Sequence, residues 1–118
     1  MIAHIVLFKP RPDLAVDARE RLAASFQTAL REIPSIRRAR VGRRITHGRS
    51  YERLMSVDYQ FAAVLEFDDE AGLKAYLEHP AHQQLGALFF ETFEQALMYD
   101  FSLADGTAAL AGITPSSA

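Results

Sequence analysis

The chain has 118 residues, of which 49% are hydrophobic and 24% charged, with a formal net charge of −2 and no cysteine. This length suits one domain with one core, and the small net charge gives no general attraction to nucleic acid or to an anionic membrane. The lack of cysteine excludes a disulfide framework, a thiolate metal site and a cysteine nucleophile. No apolar run approaches the roughly 20 residues that span a bilayer, and the first residues lack a signal-peptide pattern, so we expect a cytoplasmic protein with no membrane or nucleic-acid partner.

The first half of the chain predicts a strand, a helix and a second strand. The first strand, Ile2–Phe8, is apolar on both faces, so we expect it to be covered on both sides. Asp13 is expected to cap a helix that runs to about Glu32, because apolar residues recur along it at helical spacing. Pro34 then disfavours the helical conformation, and the second strand is predicted at about Ile36–Ile45.

The second half predicts a strand, two helices and a last strand. A long connection leads to the third strand, Asp58–Phe67. An acidic turn starts a short helix that ends near Leu77. Pro80 suits the first turn of a further helix to about Gln95, because its missing N–H costs nothing there. The last strand is predicted at Ala96–Leu103.

These elements describe one domain at residues 1–103, followed by a tail at residues 104–118 that we expect to be flexible. Their order, β-α-β-β-α-β, is typical of the ferredoxin-like α+β fold. Two helices cover only one face of such a sheet, yet three of the predicted strands are apolar on both faces. Because large exposed apolar patches are rare in monomers, we predict a homodimer in which the two sheets face each other and form a barrel.

The most informative motif is the run Tyr76-Leu77-Glu78-His79-Pro80-Ala81-His82, which follows the third predicted strand. It places two of the four histidines three positions apart around a proline. With His4-Ile5-Val6-Leu7-Phe8 near the start and Tyr99-Asp100-Phe101 near the end, it resembles the stress-responsive A/B barrel family of small dimeric α+β barrels. The resemblance covers about residues 2–103 and implies the fold, whereas the family holds both enzymes and proteins of unknown role.

The resemblance also implies a site. Some family members cyclise linear polyketide chains by an intramolecular aldol condensation, with a histidine at the position of His82 as the base and a tyrosine at that of Tyr76 beside it. A histidine at the position of His4 lines their pocket. This chain has Phe26 where those cyclases have a tyrosine and Phe61 where they have a histidine, so its pocket should be more apolar than theirs.

The expected catalytic residues are His82, Tyr76 and His4. The expected pocket-lining residues are Phe26, Phe61 and His79. A base at a helix start stays neutral near pH 7, because the helix dipole disfavours imidazolium. A tyrosine beside it can donate a hydrogen bond to a developing enolate oxygen. The expected function is the binding of a small hydrophobic molecule, with cofactor-free acid/base chemistry of the cyclase kind.

A structural role for the same residues is the alternative. The His-Pro-x-His segment can shape the hinge between two helices, with His79 as a cap, while His4 and Tyr76 pack in the core. The protein would then be a non-catalytic structural or stress-associated homodimer. Neither a metal nor a cofactor is expected, because the histidine spacing is not the i, i+4 pair of zinc helices and there is no Gly-rich phosphate loop.

Arginines cluster on and after the second predicted strand, between Arg37 and Arg49. A phosphate or RNA surface is one interpretation, but the cluster has no interleaved aromatic residues and the net charge is negative. A charged strand edge that prevents sheet-to-sheet aggregation explains the cluster as well. Some of these arginines could also pair across the dimer with Glu66 or Asp100.

Overall fold

The structure, a computed structural model, describes residues 1–114. In chain order its main elements are β1 (Ile2–Pro10), α1 (Val16–Glu32), β2 (Arg38–Arg43), β3 (Phe61–Phe67), α2 (Glu70–Glu78), α3 (Pro80–Thr92) and β4 (Phe93–Ser102). The strands form one antiparallel sheet in the order β2-β3-β1-β4. This arrangement confirms the ferredoxin-like α+β fold predicted from the sequence.

The first strand lies inside the sheet. β1 pairs antiparallel with β3 on one side and with β4 on the other. Its residue His4 therefore stands opposite Leu65 in β3 and opposite Asp100 in β4. β1 is therefore paired along both edges, and its residues Val6 and Phe8 are buried.

The first helix begins later than predicted. Its N-cap is Ala15, which makes no side-chain cap, so the prediction that Asp13 caps this helix is wrong. The residues before it form a turn instead, in which the Leu14 N–H donates to the Arg11 carbonyl at 3.2 Å. The guanidinium of Arg19 also donates to backbone carbonyls of this turn. These bonds move the start of the helix beyond the reach of the aspartate.

Both helices after β3 begin with side-chain caps. Asp69 accepts a hydrogen bond from the Gly72 N–H at 2.8 Å at the start of α2. At the start of α3, the Nδ1 of His79 accepts from the Ala81 N–H at 3.0 Å, and Pro80 occupies the first turn. The caps fix the junction between α2 and α3, where the motif residues lie.

The third helix passes into the last strand without a loop. β4 starts at Phe93, not at the predicted Ala96, one residue after α3 ends at Thr92. The Phe93 N–H still donates to the Phe89 carbonyl of the helix. Just after the end of β1, the Arg11 N–H donates to the carbonyl of Thr92, the last residue of α3, at 2.8 Å. Helix and strand are therefore one continuous segment.

The two faces of the sheet differ. One face, the core face, packs against the helices and carries buried side chains such as Phe8, Leu65 and Phe67. We call the opposite face the open face, and it is made by the alternate residues Ala3, Ile5, Leu7, Ala62, Val64, Leu97, Tyr99 and Phe101. Tyr99 is 58% exposed and Phe101 is 49% exposed, so this face presents large apolar side chains that no other part of residues 1–114 covers.

Members of the arginine cluster form ion pairs inside the chain. The Arg37 Nε lies 3.1 Å from the Asp68 Oδ1, and the Arg44 Nη1 lies 2.6 Å from the Asp58 Oδ1. Asp100 points to the core face and bonds a histidine of β1. This bond engages one carboxylate oxygen of Asp100 within the chain, and the pairing of Asp100 with an arginine of a second copy stays a prediction.

Beyond β4 the described residues are exposed. Residues 104–114 contain one short 3-10 helix, Ala108–Gly112, and no residue of this stretch is buried. The rest of the predicted tail, residues 115–118, lies outside the described residues. Among the helices of residues 1–114, none is long and apolar enough to cross a membrane.

Candidate functional site

A cavity of about 420 Å³ lies on the core face, between the sheet and the helices. Its wall is mostly apolar and takes rings from five elements, β1, α1, α2, α3 and β4. The ring-bearing residues include His4, Phe26, Tyr76, His82, Phe89 and Phe93. A cavity of this size and composition suits a small, largely apolar molecule.

His4 is held by a carboxylate. The pairing of β1 with β4 brings the two side chains together, with the His4 Nδ1 2.6 Å from the Asp100 Oδ1. Because the carboxylate oxygen accepts, Nδ1 carries a proton, and Nε2 holds the lone pair when the ring is neutral. His4 is buried, whereas the Asp100 side chain is 44% exposed. The pair fixes both the tautomer and the orientation of this imidazole.

Tyr76 lies next to both histidines of the cavity. Its ring centroid is 5.5 Å from that of His4 and 4.6 Å from that of His82. The residue is in the last turn of α2 and is buried. Burial, together with the negative charge of Asp100, raises the pKa of Tyr76 to about 12. The hydroxyl therefore keeps its proton and is an O–H donor at neutral pH.

His82 is in the first turn of α3. Its Nδ1 is 3.1 Å from the Leu77 carbonyl oxygen, which can only accept, so the neutral ring has its proton on Nδ1 and its lone pair on Nε2. Burial lowers the pKa of His82, the bond to the Leu77 carbonyl opposes this, and the nearby His4 lowers the pKa further. The net effect favours the neutral imidazole, which is the form that can act as a base.

Two of the predicted pocket residues, Phe61 and His79, do not line this cavity, whereas Phe26 does. The Phe61 ring stacks on Phe8 with 5.3 Å between centroids, and Phe8 stacks in turn on Phe93 at 4.7 Å. Phe8 therefore stands between Phe61 and the cavity. His79 does not reach the cavity either, because its Nδ1 is engaged as the cap of α3.

Sequence reasoning missed Asp100 and Gly86. Asp100 shares a face of β4 with Ala96 and Met98, two residues of the cavity wall, so the alternation along the strand was a usable signal. Gly86 also lines the cavity and follows His82 by four positions on α3. That spacing places two residues on the same face of a helix and was a signal too.

The lowered pKa of His82 has a consequence for stability. The unfolded chain, in which histidine has a pKa of about 6.5, binds the proton more readily than the folded chain does. Stability contributed by the neutral His82 is therefore present above about pH 6.5 and is lost as the pH falls below that value.

We expect the melting temperature of the His82→Gln variant to fall less between about pH 7.5 and pH 5 than that of the wild type. Thermal unfolding across this range measures the difference, and parallel pH profiles would contradict it.

The polar groups of the cavity are suited to proton transfer. They offer a lone pair on the His82 Nε2, an O–H on Tyr76 and a second imidazole at His4, all in an apolar wall. In the part of the chain that the structure describes, no group of three His, Cys, Asp or Glu residues could hold a metal ion. The arrangement is therefore one of acid/base groups around a small apolar space.

Comparison with known proteins shows where this fold recurs. The family described as the Stress Responsive A/B Barrel Domain matches residues 2–103. A dimeric protein of unknown function and ferredoxin-like fold from Bacteroides fragilis is 30% identical, with a TM-score of 0.61 and coverage of 86% of this chain and 95% of that one. A dimeric ferredoxin-like protein of unknown function from Thermobifida fusca is 25% identical, with a TM-score of 0.67 and coverage of 86% and 90%.

A hydroxynitrile lyase from Passiflora edulis is similar in fold alone. It is 14% identical, with a TM-score of 0.71 and coverage of 89% of this chain and 94% of that one. No curated protein matches the chain. The family match extends over both strands that hold His4 and Asp100 and over both helices that hold Tyr76 and His82. The chain belongs to the stress-responsive A/B barrel domain family.

Proposed function

We propose that the protein binds a small, largely apolar carbonyl compound in this cavity and catalyses proton transfer at the carbon beside the carbonyl, without a cofactor. The observation that carries the proposal is the contact of Tyr76 with both His4 and His82 in an otherwise apolar wall. Removal of a proton beside a carbonyl requires a base and a donor to the oxygen, and these residues supply both.

His82 is the base in this proposal. Its Nε2 lone pair takes the proton from the carbon, and the electron pair of the broken C–H bond forms the enolate, whose charge gathers on oxygen. Burial lowers the pKa of His82, so the ring is neutral and available near pH 7. A base of this kind contributes about 10²–10⁴-fold to a rate.

Tyr76 is the donor to the enolate oxygen. Because its pKa is about 12, the hydroxyl holds its proton until the oxygen becomes negative and then shares it in a hydrogen bond. The proton that the His82 Nε2 has taken, or a deuteron exchanged for it from the solvent, returns to the carbon at the end of the reaction, while His4, oriented by Asp100, lies beside Tyr76. With a second carbonyl in the same molecule, the enolate carbon would form a new C–C bond to it, while the π electrons of that carbonyl move to its oxygen, which takes the proton from His82. This is the ring closure of the cyclases within the family that the sequence resembles.

We also infer that the working form is a homodimer. The related proteins from Bacteroides fragilis and Thermobifida fusca are described as dimeric. The open face carries exposed apolar side chains, among them Tyr99 and Phe101, and a second copy would cover them and complete a barrel. The cavity lies on the opposite face, so each copy would hold a site of its own.

Hydrogen–deuterium exchange at the methyl group of acetophenone, followed by NMR in deuterated water, tests the proposed chemistry without knowledge of the natural substrate. The wild-type protein should accelerate the exchange. His82→Ala should lower the protein-dependent rate by about 10²–10⁴-fold, because the base is lost. Circular dichroism should show that the variant keeps its fold.

His47→Ala is the matched control, because His47 is an exposed histidine outside the cavity. This variant should exchange at the wild-type rate. Binding is measured separately by thermal shift, since a ligand at 100 times its dissociation constant adds about 2.7 kcal/mol to stability. Absence of both binding and exchange with small ketones would favour the alternative, a structural homodimer without chemistry.

A further inference from the structure

We infer that Gly86 makes the cavity selective for a flat, ring-bearing ligand over a chain-like one, by leaving its wall bare beside His82. This inference deepens the proposed function and rests on it. Gly86 follows His82 by four positions on α3, so the two are neighbours on one face of the helix. Both residues line the cavity. Whatever binds against the base therefore also passes over the backbone of Gly86.

Neither packing nor backbone conformation requires a glycine at this position. Apart from its chain neighbours and the nearby backbone of its own helix, a Cβ built at Gly86 would meet no atom of the described residues within 4 Å, and the φ of Gly86 is not positive. Gly72 in α2 is a useful contrast, because a Cβ there would come 3.4 Å from the Phe67 Cβ, so a close approach of helix and sheet accounts for that glycine. Glycine inside a helix is less stable than alanine. At Gly86 the space that glycine leaves in the cavity offsets this loss.

Aromatic rings bound the rest of this space. The rings of Phe89 and Phe93 have centroids 4.2 Å apart, and Phe26 lies 5.4 Å from Phe89. All three rings line the cavity with Gly86. A glycine lets a ligand approach the backbone closely, and phenyl rings pack in stacked or edge-to-face contacts with another flat ring. An aryl group gains both contacts, whereas a flexible alkyl chain gains less from the rings and must also be ordered.

The test compares exchange with two ketones, acetophenone and 2-heptanone, and takes the ratio of their protein-dependent rates as the preference for a ring. A leucine side chain would fill the space over the helix. We expect Gly86→Leu to lower the preference by about 10-fold or more. Gly86→Ala should lower it less and should raise the melting temperature by a few degrees, because alanine is the better helix former and meets no obstacle.

Gly112→Leu is the control, since a Cβ at Gly112 also meets open space but this residue does not line the cavity. The Gly112→Leu variant should show the same preference for acetophenone over 2-heptanone as the wild type. An unchanged preference in Gly86→Leu, or an equal change in Gly112→Leu, would overturn the inference. A lower melting temperature of Gly86→Ala would overturn it too, by showing that packing requires the glycine. The proposed function fails separately, when the wild type exchanges neither ketone.

Discussion

Replacement of Phe8 by alanine is expected to lower the free energy of unfolding by about 3–5 kcal/mol. Phe8 is buried. Its ring centroid lies between 4.7 and 6.3 Å from the ring centroids of four other phenylalanines, which are Phe26, Phe61, Phe89 and Phe93. Loss of this ring removes the shared contact of the group and leaves an empty space in the core. Urea unfolding followed by circular dichroism measures the change.

Phe90→Ala is the matched control. Phe90 belongs to the same aromatic-rich part of the chain but is 85% exposed, so its replacement should change the free energy of unfolding by about 0.5 kcal/mol or less. Similar losses in the two variants would mean that the aromatic group around Phe8 does not hold the core together.

Aspartate in place of Tyr99 is expected to convert the proposed homodimer into monomers. Tyr99 lies within the open face, opposite Ile5 and near Phe101, so in the dimer the new carboxylate would be removed from water among apolar side chains. An unpaired buried charge costs several kcal/mol, which is a large part of the free energy that holds a typical dimer. Sedimentation velocity at micromolar concentration distinguishes the two states.

Val16→Asp provides the comparison for this experiment. Val16 is exposed at the start of α1, away from the open face, and an acidic residue at a helix start is favourable. The variant should sediment as the wild type does. A wild-type protein that is monomeric under these conditions would refute the homodimer itself.

The fold could be predicted because the apolar residues recur at the spacings of the strands and helices that the structure contains. Each predicted strand and helix is present, and the errors are at the ends, where tertiary contacts decide. Asp13 is the example, since the turn that displaces it is held by Arg19, which reaches back from within the helix. No local sequence pattern predicts such a contact.

The site could be predicted only in part, for a geometric reason. The resemblance named His4, Tyr76 and His82, which do meet at one cavity. It also named Phe61, which is only two positions from Ala63, a residue of the cavity wall, but two positions along a strand are almost 7 Å. That displacement puts Phe61 behind Phe8.

The bond between Asp100 and His4 depends on a different quantity, the register between the first and last strands. These residues are 96 positions apart, and the pairing includes an irregularity between Lys9 and Pro10. A shift by one residue would have turned Asp100 to the open face. The sequence carried the alternation of β4 but not the register, so this contact became visible only in the structure.

The direct passage from α3 to β4 limits how this part of the cavity wall can move. A lid needs a hinge, and this corner has none, because Thr92 ends the helix, Phe93 begins the strand, and both are buried. The Thr92 hydroxyl also donates to the Leu88 carbonyl at 2.7 Å, which ties the corner back to the helix. At this wall the exposed Phe90 side chain can change rotamer while the backbone stays in place. A rotamer change takes picoseconds to nanoseconds, whereas the closure of an enzyme lid takes microseconds to milliseconds.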